Sequence, residues 1–247
     1  RERTWPFEAA LDGDGVEASA ELGIAELLSG GTTTVLDFGT THDHERVFQA
    51  AERLGIRMIS GMTHMDVGEH VPQRLLADAD HSLSEAEELG LDWHGAAGGR
   101  LAYAVAPRFA LSCSGPLLRG CVELARENGW LLQTHAAENR DEVEEVRRVS
   151  GLSNIEFLEA HGLTGNDVIL AHGVHLDDNE ITRLPMYQRA RLGVGYLSQE
   201  SSIFRGLTVA QNIGAILETL GGTRSERESR LTKLLQELGI EELRDRA

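Results

Sequence analysis

The chain has 247 residues, 41% of them hydrophobic and 26% charged, and a net charge of −17. Those proportions exclude a disordered or collagen-like chain, and no run of about 18 apolar residues is available to insert in a membrane. The acidity excludes a nucleic-acid partner, because phosphate backbones repel such a surface.

The N-terminal Arg1-Glu2-Arg3-Thr4-Trp5-Pro6 has neither an initiator Met nor the apolar core of a signal peptide. It reads as a start inside a longer frame. Cys113 and Cys121 are the two cysteines, too few for a disulfide scaffold and in keeping with a reducing cytoplasm. Charge is uneven along the chain: residues 1–184 carry 14 basic and 32 acidic side chains, whereas 185–247 carry 9 and 8. Such a step suggests a change of domain.

Apolar spacing predicts a helix over 16–29, stopped by Gly30-Gly31, and then a short β-branched strand over Thr32–Phe38. A helix over 43–54 ends at Gly55 and leads into a strand at Ile56–Met62. Residues 66–81 read as irregular and 82–90 as a helix. Arg100–Ala106 is a predicted strand, 115–128 a helix and Trp130–Thr134 a strand. Helices follow at 139–149 and 153–161, then a strand at Asp167–Ala171. Alternating strands and helices, with the strands almost wholly apolar, predict a parallel sheet covered by helices. Five strands before residue 172 are too few for a closed eight-stranded barrel. Beyond Leu184 the pattern gives one strand, Arg191–Leu197, and helices over Val209–Leu220, Glu226–Leu238 and 240–246.

The richest local text is Gln133-Thr134-His135-Ala136-Ala137-Glu138-Asn139, with His135 at a predicted strand end. His172, in Leu170-Ala171-His172-Gly173-Val174-His175, occupies the same place on the next strand. C-terminal strand ends form the working face of β/α sheets. Two imidazoles there can share a metal or a substrate, and Glu138 in the adjoining loop is placed to carry a proton. His42 and His44 are spaced as a pair, but they sit in a loop entering a helix and read as solvated.

Glu26–Thr34 (ELLSGGTTT), Ala106–Ser114 (APRFALSCS), Gln133–Val143 (QTHAAENRDEV) and Leu170–Val174 (LAHGV), in that order, resemble the middle of a metal-dependent amidohydrolase of the guanine deaminase and chlorohydrolase branch. The resemblance covers about residues 1–176. It implies part of a TIM-like (β/α) barrel, about five parallel strands lacking strands 1, 7 and 8, and a zinc or iron cofactor. It makes His135 a metal ligand, Glu138 the proton-shuttling acid, and His172 the histidine beside metal and substrate. Arg108 and Phe109 match a pair that holds the purine ring. The family's His-x-His strand and distal aspartate have no counterpart here, so the implied metal site is incomplete. The implied substrate is a small heterocycle, purine-like or triazine-like, attacked at a C–N or C–Cl bond. The open sheet edges left by the missing strands favour a homo-oligomer.

Leu176–Leu220 resembles an ABC-transporter ATPase of the lipopolysaccharide-export branch, from just before the Q-loop into the helical subdomain. Gln199 matches the Q-loop glutamine, and Ser201–Thr208 the surface that docks on a membrane subunit. No ATP binding is expected, because Lys233 is the only lysine and no glycine-rich P-loop precedes it. Leu28-Ser29-Gly30-Gly31 spells the ABC signature but reads as a helix stop. The sequence therefore predicts an α/β fusion: an amidohydrolase part over 1–176 and an ABC-like strand and helices over 177–247. The expectation is a fusion inactive in deamination, with transporter docking as the alternative function.

Overall fold

The computed structural model describes residues 3–175 and 206–246. The chain divides into two compact units, Arg1–Asn179 and Glu180–Ala247. The expected strand Arg191–Leu197 and the Q-loop residue Gln199 lie outside the described residues.

In the first unit every strand pairing is parallel. The strands are β1 (Thr34–Leu36), β2 (Arg57–Ser60), β3 (Thr63–His64), β4 (Leu101–Pro107), β5 (Leu131–Ala136) and β6 (Val168–His172), in the order β1-β2-β4-β5-β6, with β3 continuing beside β4. The helices are α1 (Thr4–Ala10), α2 (Gly13–Ser29), α3 (Glu45–Leu54), α4 (Ala79–Trp93), the single turn α5 (Ala96–Gly99), α6 (Gly115–Asn128), α7 (Arg140–Ser150) and α8 (Asn154–Ala160). The five strands expected from the sequence all form: β1 and β2 are shortened at their ends, β4 and β6 are shifted by one residue, and β5 runs on to Ala136.

The helix expected over 240–246 is only a short 3₁₀ turn, Glu241–Leu243, and α1 and α4 also differ from the sequence expectation. Helix α1 is unanticipated: it has only seven residues, and Pro6 sits in its first turn, where a missing N–H costs no helical bond. Helix α4 begins at Ala79 because Asp78 caps it, its side chain accepting from the backbone N–H of Asp80 and His81.

The core lies between the sheet and its helices. Leu101, Tyr103 and Val105 of β4 and Leu132 of β5 are fully buried with Phe48 of α3 and Leu117, Leu118 and Cys121 of α6. Strand β4 packs so tightly at its neighbour that only glycine fits at position 61. A Cβ there would stand 1.9 Å from the Ala104 carbonyl oxygen. A smaller cluster, Trp5, Met65 and Leu75, ties α1 to the sheet's C-terminal end.

In the second unit, α9 (Val209–Thr219) and α10 (Arg224–Glu237) pack through Leu217, Leu231 and Leu235. Each opens with a capping box, Thr208 with Gln211 and Thr223 with Glu226. No described helix is long and apolar enough to cross a membrane.

Candidate active site

Strands β5 and β6 run in register from Leu132 opposite Val168 to Ala136 opposite His172. Their C-terminal ends therefore bring His135 and His172 side by side, with ring centroids 5.3 Å apart and planes 26° from parallel. Glu138 follows in the loop, its Oε1 3.8 Å from His172 Nε2. Both strand ends turn through left-handed backbone at residues other than glycine, Ala137 at φ 48° and His172 at φ 70°. That conformation costs on the order of 1–3 kcal/mol per residue, and the surrounding structure must hold it.

Buried polar groups do so. The Ala137 N–H donates to Asn154 Oδ1 (3.2 Å), and Asn154 Nδ2 donates to Glu142 Oε1 (2.9 Å). The Glu138 N–H donates to Glu142 Oε2 (3.0 Å). On the β6 side, the N–H groups of Val174 and His175 both reach the Ala137 carbonyl. Asn139 caps α7 by accepting from the Glu142 N–H (2.9 Å), which aims the Glu142 carboxylate back under the loop.

The tautomer of His135 follows from its partner. Its Nδ1 lies 2.8 Å from the Arg108 carbonyl oxygen, which can only accept. Nδ1 therefore carries the proton, and Nε2 keeps a lone pair. Burial lowers the His135 pKa below its ordinary value, helped by the nearby His172, so the ring is neutral at neutral pH. Phe38, which the sequence did not single out, stands against the ring with centroids 4.0 Å apart.

Arg108 sits at the end of β4 and does two jobs. Its backbone accepts from both the N–H (3.0 Å) and the imidazole of His135. Its guanidinium forms a fork on Glu8 of α1, with Nη1 to Oε1 at 3.1 Å and Nη2 to Oε2 at 3.0 Å. It also lies 5.7 Å from the Trp5 ring centroid. Phe109 bridges to His135 and packs partly on the Trp5 cluster. A cavity of about 330 Å³ opens beside these groups, lined by Glu8, Arg108, Asp37 and Phe38 and by apolar side chains including Ile24 and Val35. Burial raises the Asp37 pKa.

Two sequence expectations need correction. His44 is not solvated: it is 1% exposed and its Nε2 meets Ser60 Oγ at 3.1 Å. His42 is half-buried, with Nε2 3.1 Å from the Leu11 carbonyl. The loop that carries both is held by Leu11, before α2, and by Ser60 of β2, partners that local spacing could not foretell. The two cysteines offer no nucleophile. Cys113 and Cys121 are buried, and burial pushes Cys113 up to about 12.

The donor set fits a metal in part. His135 presents an unprotonated Nε2, and His172 stands beside it. Among the described residues, however, no group of three His, Cys, Asp or Glu side chains is placed to hold a metal. A catalytic zinc takes about three protein ligands.

The amidohydrolase family model matches residues 3–203. The chain belongs to the amidohydrolase family. It is 39% identical over 183 residues to a 5-methylthioadenosine/S-adenosylhomocysteine deaminase of Symbiobacterium thermophilum, covering 74% of this chain and 40% of that protein. Among solved structures it resembles the guanine deaminase of E. coli (TM-score 0.66, 35% identity, 70% of this chain and 41% of that one). It also resembles that of C. acetobutylicum with bound guanine in the active site (TM-score 0.67, 29% identity, 71% and 42%). The chain thus spans about two fifths of the length of these relatives. The curled parallel sheet corresponds to about half of a TIM-like barrel. The amidohydrolase match runs past residue 176 and through Gln199, and the ABC resemblance finds no support in these matches.

Of the residues singled out in the sequence, His135, His172 and Glu138 lie together at the strand ends, and Arg108 joins them through its carbonyl. Three partners carry no local signal: Glu8 bonds Arg108, Glu142 bonds the Glu138 N–H, and Asn154 bonds the Ala137 N–H and Glu142. Glu8 lies 100 positions from Arg108, and no local motif marks it.

Proposed function

We propose that the chain is the ring-binding and proton-handling part of an amidohydrolase that removes the amino group from a purine-like heterocycle. The observation that carries this reading is the in-register pair His135 and His172, with Glu138 in reach and Arg108 joined to His135 through its carbonyl. Deamination replaces a ring C–NH₂ by C=O and releases ammonia, so a proton must pass from the attacking water to the leaving nitrogen. Glu138, half-exposed in its loop, is the group that moves it. His172 steadies the charge that develops on the attacking oxygen, Arg108 donates to ring acceptors, and Phe109 offers an apolar face. When bound, zinc or iron activates water in such sites, and His135 and His172 are the residues here that would hold it.

Among the described residues two imidazoles fall short of a full ligand set, so the isolated 247-residue chain is expected to bind the ring without turning it over. The test is purified chain with zinc or iron, titrated with hypoxanthine and assayed against guanine, other aminopurines, chlorotriazines and ATP. Saturable hypoxanthine binding that weakens at least about tenfold in Arg108→Ala, the lower range for one bidentate contact, supports the reading. Absent binding, or binding indifferent to Arg108, refutes it. Turnover abolished by Glu138→Gln would overturn the expected inactivity while upholding the role of Glu138.

A further inference from the structure

We infer that Glu8 is a positioning residue that locks the Arg108 guanidinium so that one chosen edge faces the pocket, and that this edge selects 6-oxopurines, 2-amino-6-oxopurines among them, over 6-aminopurines. The inference rests on the purine-ring reading above and adds to it the residue that orients the ring-binding arginine.

A guanidinium has five N–H donors in one plane. Nη1 and Nη2 form its outer end, and Nε with the inner N–H of Nη2 forms its side edge. Glu8 takes the outer end with a two-point carboxylate fork, at 3.1 and 3.0 Å. The other Nη1 N–H points to Met65 Sδ at 3.3 Å. Three of the five donors are thereby engaged. The side edge, Nε–H with Nη2–H, has no hydrogen bond among the described residues. Both partners are largely shielded, with side chains 18% and 15% exposed, and both line the cavity. Trp5 packs at 5.7 Å from the guanidinium carbon and limits its swing. A two-point fork fixes the plane of the group as well as its place, which a single contact does not.

The free edge offers two parallel donors. It matches a ring edge with two adjacent acceptors, such as O6 and N7 of an oxopurine. A 6-aminopurine presents N7 beside an N–H₂ donor, and that donor would face the second N–H of the arginine. Without Glu8, the guanidinium is free to rotate and can meet an aminopurine through N7 alone, so discrimination falls. A purely structural role for Glu8 would weaken both ligands alike.

The test combines two measurements on the full chain. Calorimetric titration with hypoxanthine and with adenine gives the selectivity of the parent, of Glu8→Gln and of Arg108→Lys. Nitrogen-resolved NMR of the arginine side chains reads the Arg108 Nε–H directly, without any ligand. The parent is expected to prefer hypoxanthine about 10- to 100-fold, the range of one bidentate base contact, and to show a sharp, slowly exchanging Nε–H. Glu8→Gln is expected to cut the preference to within about threefold and to broaden that resonance, with the fold intact by circular dichroism. Arg108→Lys, which has no edge, is expected to lose the preference while Glu8 remains. Equal weakening of both ligands in Glu8→Gln, or an Arg108 resonance already mobile in the parent, overturns the inference. If the parent binds neither purine, the purine reading fails. The NMR comparison then still decides whether Glu8 locks Arg108.

Discussion

Asn154 ties the loop after β5 to α7, and replacing it with alanine tests how far the loop depends on it. Its side chain is 2% exposed and makes two bonds: it accepts from the Ala137 N–H and donates to the Glu142 carboxylate. Truncation strands the N–H of Ala137, itself fully buried, at about 1–3 kcal/mol, and removes a bond to a charged group worth about 1.5–3 kcal/mol. A water entering the vacated space recovers part of this, so the expected loss is about 3 kcal/mol. For a domain of this size that corresponds to a fall in Tm of about 6–12 °C. Asn154→Asp keeps the acceptor for Ala137 but sets a carboxylate against Glu142, so it is expected to cost at least as much. The assay is thermal and urea unfolding of the parent and both variants, with hydrogen exchange at the Ala137 and Glu138 amides. Exchange at both positions is expected to accelerate, because the left-handed turn at Ala137 loses its tether. A fall in Tm under about 2 °C, or unchanged exchange, would refute the reasoning that this buried network holds the loop.

Acid is expected to destabilise the first unit well before its carboxylates titrate. Burial holds His44 at about 3 and His64 at about 4, so the native state refuses protons that the unfolded chain takes up near pH 6.5. Stability is full above about pH 7.5 and falls as pH drops, by about 2 kcal/mol for each ring at pH 5. Asp37, raised by burial, acts in the opposite sense, since the native state binds its proton first. Urea midpoints that do not change between pH 7.5 and 5, or a slope that survives in His64→Gln unaltered, would contradict this. Gly61→Ala is expected to prevent folding outright, because the clash at 1.9 Å is with a sheet carbonyl that cannot yield. Soluble variant with parental circular dichroism would count against it.

The strands and the larger helices are legible because their apolar spacing is local, and α6 matches its expected bounds, 115–128; the structure adds the Ser114 cap and the left-handed Gly129 that end it. The strand-end histidines were legible for the same reason: a histidine closing an apolar run needs no tertiary information. The short helix α1 was not, since seven residues with a proline give little periodicity. What α1 contributes was less legible still. Glu8 becomes meaningful only when the fold sets it on Arg108, a contact made across 100 residues. His44 misled because a loop residue beside Asp43 and Glu45 looks solvated, whereas its ring is packed against Phe48 and bonded to Ser60. Glu142 reads as one more charge on an acidic helix until Asn139 and Asn154 turn it inward.

We place His135 and His172 in one site at adjacent strand ends, with His135 Nε2 as its bare nitrogen. Long-range proton–nitrogen NMR of the histidine rings, recorded at pH 7.5 during titration with zinc, tests it most directly. Before zinc, His135 is predicted to show a protonated Nδ1 and an unprotonated Nε2. On adding zinc, Nε2 of His135 and a ring nitrogen of His172 are predicted to shift together, and His172→Ala is predicted to weaken the response of His135. A protonated Nε2 in His135, or zinc that shifts either ring alone, would contradict the account.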